Sequence, residues 1–387
     1  MAPHTSTKDA TELLAKLVAF DTTSAKSNLE LIAFVQGYLE GQGVASTLVP
    51  DGDGKKACLF ASIGEGDGGV GLSGHSDCVP VTGHSWTSDP FTLTERDGRL
   101  YGRGTCDMKG FLACVLASVP LFKSAPLREP IHILISYDEE VGCVGVRPMI
   151  ARFGQDLPRP RVVIVGEPSG MQVIDGHKCI DVFRTTVTGK EAHSSMPAMG
   201  VNAISAASRL VEEIDRIAAE VADVENDPHF DPPYSTVMVA MVDGGTAPNI
   251  VPRNCDILWQ LRGLPGTKAK DLPARLASFA ENKLLPSMRA VAPDASVDTK
   301  TETAVPAFSA EPKSEAISLA LSLTGANRAS GVSYATEAGL FQDAGCPAVV
   351  CGPGDIEQAH TADEFVTVSQ IESCLVFLAK LTERIRS

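Results

Sequence analysis

Residues 131–140 read IHILISYDEE, an apolar run that stops at three consecutive carboxylates. Four further runs share its form: ACLFASI at 57–63, VGLSGHS at 70–76, RVVIVGE at 161–167 and PAVVCGP at 347–353. Each is short, rich in β-branched or apolar residues and bounded by turn-forming sequence, which predicts a buried strand. Helical stretches lie between several of them, including GFLACVLASVPLF at 110–122 and the segment after Glu140. Strands alternating with helices predict an α/β core, a mixed but mostly parallel sheet sandwiched by helices. Outward from this core, residues 8–19 place Leu13, Leu14, Leu17 and Val18 on one helical face. A second helix is expected over 27–41 and a closing one over 368–384.

From about Cys179 the pattern changes. DVFRTTVTG at 181–189, STVMVAMV at 235–242 and CDILWQLRG at 255–263 alternate as half-buried antiparallel strands do. Helices are expected at 202–221 and 270–285. This β-α-β-β-α-β order predicts an α+β, ferredoxin-like unit inserted into the first domain. The expected division is a discontinuous domain of residues 1–178 and 302–387, interrupted by residues 179–301. Gly64 to Gly69 satisfy G-x-G-x-x-G, but a strand follows them where a dinucleotide fingerprint would open a helix. That stretch reads as a turn.

Bulk properties agree with two domains. The chain has 387 residues, 44% hydrophobic and 21% charged, more than one core usually holds. A formal net charge of −15 argues against nucleic acid and anionic membrane surfaces as partners. The ten cysteines form no C-x-x-C pair, which excludes a zinc knuckle and a thioredoxin-type motif. Scattered thiols in apolar runs suit a reducing cytoplasm. The N-terminal residues lack a signal-peptide layout, and no apolar stretch is long enough to span a bilayer.

The informative residues sit just after the apolar runs, where open α/β sheets bind their ligands. His75 and Asp77 are two apart and share a face in extended chain, so Asp77 could accept the N–H of a metal-bound imidazole. A surface His–Asp pair reads equally well in isolation. Asp107 follows the glycines of GRGTCDMKG and could cap the next helix, or bridge metals if carboxylates and histidine converge on it. Asp138, Glu139 and Glu140 repel one another unless cations neutralise them. In extended chain Glu139 and Glu140 face opposite ways, so Glu140 could bind metal while Glu139 stays free for water. A solvated acidic turn is the plain alternative. Glu167 and His360 complete a set of two histidines and three carboxylates with one carboxylate to spare, which suits two zinc ions sharing a bridging group. Cobalt or manganese would be tolerated by the same donors.

The motifs GHSD, GRGTCDMKG, YDEEVG, VGEPS and QAHTADE, in this order, resemble the M20 family of metallopeptidases and deacylases across essentially the whole chain. The resemblance implies a zinc-exopeptidase-like fold whose inserted domain is a lid and dimerisation element, and a homodimer through it. It implies that Asp107 bridges two metals, with His75 and Glu167 at one and Glu140 and His360 at the other. Glu139 would be general base and then acid, with Asp77 supporting His75. GKEAHSSMP at 189–197 is similar to the family's lid motif and makes His193 an oxyanion donor. Asn249 and Arg262 look like residues that hold substrate. The implied reaction is hydrolysis of a small N-acyl amino acid, N-acetylornithine first, with another N-acyl amino acid or a small dipeptide as alternatives. Glu337 is a candidate to hold ornithine's side-chain amine. A non-catalytic scaffold would be expected to have lost the base or a ligand, and none is missing. No G-x-S-x-G elbow supports a serine hydrolase.

Overall fold

The computed structural model describes residues 5–83, 85–269 and 271–386. The chain forms two compact units, Met1–Gly176 with Phe308–Ser330 and Thr336–Ser387, and His177–Ala307 with Gly331–Ala335.

In the first unit the strands run, in sheet order, Ser46–Pro50, Ala57–Ile63, Ile131–Ser136, Val70–His75, Val162–Pro168, Ala348–Gly352, Ile174–His177 and Phe308–Ser309. The central four are parallel, and antiparallel strands flank them. This is the mixed, mostly parallel α/β sheet expected. Every residue of the central four is buried. Burial on both faces explains why the sequence shows continuous apolar runs. Leu72, Ile133, Ile135, Ile164 and Val349 join one core with helices Thr7–Val18, Lys109–Ser124 and Val368–Arg384. On the other face Phe60, opposite Leu134 on the flanking strand Ala57–Ile63, meets Phe153, which stacks on Phe341 at 6.3 Å. Both faces are therefore covered, as a parallel sheet requires.

The helices behave as their sequences dictate. Ser6 caps Thr7–Val18 by accepting from the Asp9 N–H, and Leu13, Leu14, Leu17 and Val18 are buried on one face. Lys109–Ser124 is buried along most of its length and contains Pro120. Proline leaves the Leu116 carbonyl without its helical donor, and the Tyr38 hydroxyl donates to it at 3.0 Å.

The second unit is a four-stranded antiparallel sheet in the order Thr236–Gly244, Asn254–Arg262, Ile180–Thr188, Ser296–Val305. With helices Ala203–Val224 and Leu272–Phe279 the chain order is β-α-β-β-α-β and the sheet order is ferredoxin-like. Trp259 is fully buried in its core, donating from Nε1 to Thr185 Oγ1 at 2.9 Å. The expected break after residue 301 falls inside Ser296–Val305. That strand pairs with Ile180–Thr188 on both sides of an irregularity between Thr301 and Thr303, and the unit continues to Ala307.

Candidate metal centre

Parallel pairing brings the carboxyl ends of several strands to one edge. His75 lies opposite Ser136, and Tyr137 to Glu140 follow directly. Ser73 lies opposite Val165, so His75 and Glu167 both come two residues beyond that pair. Asp107 arrives from the loop before Lys109–Ser124, and His360 from the loop after Ala348–Gly352, in a left-handed conformation at φ 59°.

These side chains converge inside the first unit. His75 Nε2 lies 2.9 Å from Asp107 Oδ1 and 3.6 Å from Glu167 Oε1. His360 Nε2 lies 3.3 Å from Asp107 Oδ2 and 3.0 Å from Glu140 Oε2. The two oxygens of Asp107 thus face two different imidazoles. His75, Asp107 and Glu167 are 1%, 6% and 4% exposed. Ligand-type atoms of His75, Asp107 and Glu140 lie within 4.8 Å of one another, as do those of His75, Glu139 and Glu167.

Tautomers follow from the partners. His75 Nδ1 is 3.0 Å from the Asp77 carbonyl, which only accepts, so Nδ1 carries the proton. Nε2 then turns a lone pair toward carboxylate oxygens, which needs a proton or a cation between them. The Asp77 carboxylate lies 3.4 Å from the same Nδ1. It also accepts from Ser24 Oγ at 2.8 Å and from the Glu139 and Glu140 N–H groups at 3.2 and 3.3 Å. Burial works against ionised Asp77, but His75 and Ser24 hold its carboxyl below the usual range.

The electrostatics describe a site short of positive charge. Burial, reinforced by neighbouring carboxylates, raises Glu139, Glu140 and Glu167 above the ordinary range. Hydrogen bonds to Asp107 and Glu140 push the His360 imidazole up to about 10. Oε1 of Glu140 and Oε1 of Glu167 are buried without a hydrogen-bond partner. Unsatisfied carboxylate oxygens are costly unless a cation meets them. Two imidazoles and three carboxylates fit divalent metal by donor type and by these orphaned atoms.

Local detail departs from the extended-chain expectation after residue 136. The strand ends at Ser136 and the chain turns, with Asp138 at φ 53° and the Gly142 and Cys143 N–H groups donating to the Glu139 carbonyl. Glu139 and Glu140 therefore both reach the cluster instead of facing opposite ways. Asp138 leaves it, paired with Lys56. The Cys143 thiol donates to Glu139 Oε1 at 3.2 Å. Sequence reasoning missed Lys56, Ser24 and Cys143, and nothing in their local sequence marks them.

Glu337 does not face solvent. It is 1% exposed, accepts from Ser73 Oγ at 3.2 Å beneath the strand ends, and burial pushes it up to about 7. His193, Asn249 and Arg262 belong to the second unit. His193 is exposed, and its Nδ1 accepts from the Ser195 N–H at 3.2 Å, so a neutral ring carries its proton on Nε2. Its neighbour Ser194 donates to the Asn249 carbonyl at 3.0 Å. Arg262 is half-buried at a strand end, with Nε donating to Gln260 at 3.2 Å.

No helix among the described residues is long and apolar enough to cross a membrane. Residues 71–384 match the pattern of peptidase family M20/M25/M40. The chain is similar to the acetylornithine deacetylase of Myxococcus xanthus, 34% identical over 379 residues that cover 95% of each chain. It superimposes on the M20 family metallo-carboxypeptidase Sso-CP2 of Sulfolobus solfataricus with a TM-score of 0.78 at 17% identity, covering 97% of this chain and 98% of that one. The YXEP protein of Bacillus subtilis, a dinuclear metal binding peptidase from the M20 family, superimposes at 0.67 with 16% identity over 98% of each chain.

Proposed function

The chain belongs to peptidase family M20/M25/M40 and is an amidohydrolase of it, and we propose that it removes the acyl group of a small N-acyl amino acid. N2-acetyl-L-ornithine is the first substrate, giving L-ornithine and acetate. Likeness to the Myxococcus xanthus acetylornithine deacetylase over 95% of the chain supports that choice.

The division of the Asp107 oxygens between His75 and His360 carries the chemical reading. Asp107, His75 and Glu167 would hold one divalent ion, and Asp107, Glu140 and His360 a second. Zinc suits these donors, and cobalt or manganese would also fit. When bound, such ions polarise an amide carbonyl and lower the pKa of a water to about 7. Glu139, outside the proposed ligand set, takes the proton of the attacking water and returns it to the leaving nitrogen. Cys143 occupies one oxygen of Glu139 and leaves the other for this transfer. Asp77 holds the His75 ring in one tautomer.

From the inserted unit, His193 serves as a donor to the developing oxyanion, and its Nε2 proton is available for that. Arg262 and Asn249 hold substrate, the guanidinium fork matching an α-carboxylate. The inserted unit also serves as lid and dimer contact. Thr236–Gly244 lies at its sheet edge, with Met238, Met241 and Val242 exposed, which supports pairing with a second copy. Ten buried, unpaired cysteines support a reducing cytoplasm.

The deciding experiment is a panel assay of metal-loaded protein for amine release. The panel comprises N-acetylornithine, N-acetylmethionine, succinyl-diaminopimelate and small dipeptides, run beside Glu139→Ala and His193→Ala. We expect N-acetylornithine to lead, with Glu139→Ala silent and His193→Ala slower by about 10²–10³ at unchanged metal content. Preference for another member would move the substrate and keep the chemistry. Loss of metal from His193→Ala would contradict its role as a donor.

A further inference from the structure

Glu364 lies four residues beyond His360 and is absent from the chemistry above, yet its carboxylate has an unusual set of partners. Oε2 accepts from Arg103 Nη1 at 2.7 Å and from the Gly104 N–H at 3.1 Å. Oε1 accepts from the Cys106 N–H at 2.9 Å and from the Asp107 N–H at 3.0 Å. Arg103 and Glu364 are each 1% exposed. Arg103 also lies over the Trp86 ring, 5.0 Å from its centroid.

A buried ion pair is weak evidence for stability, because desolvating two charges offsets much of their attraction. Arg103 itself engages only one oxygen. Here both are used, three of the four donors are backbone N–H groups, and those groups belong to the loop that delivers Asp107. The main chain of Glu364 holds the same loop, its carbonyl accepting from the Gly102 N–H at 3.0 Å. Directly after it, Phe365–Thr367 pairs with Arg99–Tyr101. One residue therefore ties the segment carrying Asp107 to the segment carrying His360.

The His360 segment needs such a tie. His360 projects from a loop, its side chain 49% exposed, and both His360 and Asp363 adopt positive φ. His75, by contrast, ends a buried strand and is held by Asp77. Asp77 joins the His75 strand end to the Glu139 and Glu140 N–H groups. The corresponding tie on the other side of Asp107 runs through Glu364.

We propose that Glu364 is a positioning residue that sets the spacing between Asp107 and His360, and so the metal affinity of the position they share with Glu140. The proposal rests on the two-metal reading of the site. In Glu364→Gln an amide nitrogen replaces one acceptor oxygen and meets N–H donors, so part of the tie is lost with little change of volume. Partners behind metal ligands typically contribute about 10–100-fold to affinity.

The test is cobalt titration of metal-free protein against a competing chelator, following the visible absorption bands, with thermal unfolding of the metal-free form alongside. His360→Ala, which lacks the affected position, provides the reference spectrum of the other one. Wild type should take up two ions. Glu364→Gln should bind one with the spectrum and affinity seen in His360→Ala, and the second about 10–100-fold more weakly. Arg103→Gln, which leaves the backbone donors on Glu364, should weaken the second position less than Glu364→Gln does. Should Glu364→Gln fail to fold, Glu364→Asp withdraws the carboxylate by one methylene and is read in the same way. Two wild-type affinities in the Glu364 variant, or equal weakening at both positions in step with a lower melting temperature, would overturn the positioning role. Uptake of fewer than two ions by wild type would instead overturn the reading beneath it.

Discussion

Asp107 shows what a residue's chemistry means only in company. Read alone it favours a helix cap, and read with His75 and the carboxylates a bridging ligand; in the structure one oxygen faces His75 and the other His360. The acids and imidazoles of the cluster were legible because they follow apolar strands, and strand ends are where such sheets place ligands. Their supports were not. Lys56 neutralises Asp138 from 82 residues away, and no local pattern announces such a pair. A carboxylate in the second unit allows a test by pH. Burial alone would raise Glu225, but the Lys268 N–H and the Thr267 and Ser235 hydroxyls outweigh it and hold the carboxyl below 4.5. A folded-state pKa below the unfolded one adds stability above pH 4.5, and that increment disappears as pH falls through the folded value. Glu225→Gln should therefore lower unfolding stability at pH 7, with the gap to wild type closing in acid. Denaturant melts across that range would show it, and a gap independent of pH would contradict it.

At the scale of elements, boundaries came from local chemistry and pairing did not. The apolar face of Leu13, Leu14, Leu17 and Val18 made Thr7–Val18 readable. The apolar runs announced strands, but their neighbours depend on contacts far apart in sequence. The turn after Ser136 is one consequence, since an apolar run does not show where the extended chain carrying it stops. Close approach between elements sets another constraint. A Cβ on Gly166 would lie 2.1 Å from the Phe111 ring, so glycine lets helix Lys109–Ser124 sit against the strand that carries Glu167. Gly166→Ala should destabilise the first unit by about 1–3 kcal/mol through overpacking. It should also weaken metal binding, because Glu167 is the next residue. Calorimetry with metal titration would measure both effects, and an unchanged melting temperature would show that the contact relaxes freely.

On the scale of the molecule, metal binding and association both act on stability. Ions that bind only the folded state stabilise it by mass action, about 4 kcal/mol at a thousandfold excess over Kd. Chelation should lower the melting temperature and zinc restore it. Insensitivity to both would remove the metal reading. The exposed edge strand Thr236–Gly244 predicts a dimer by sedimentation velocity, with Met241→Lys shifted to monomer at unchanged metal content. A wild-type monomer at micromolar concentration would remove this surface as a contact.

The sequence by itself determined the α/β class, the β-α-β-β-α-β insertion and the acids and histidines of the cluster. Hydrophobic periodicity and residue type are local properties, and they are written in order along the chain. Tertiary structure alone decided the strand order, the approach of the two Asp107 oxygens to His75 and His360, the burial of Glu337 under the strand ends and the tie from Glu364 to the Asp107 loop. Each of these depends on distances between residues tens to hundreds of positions apart, which close only when the sheet is assembled and its helices are packed.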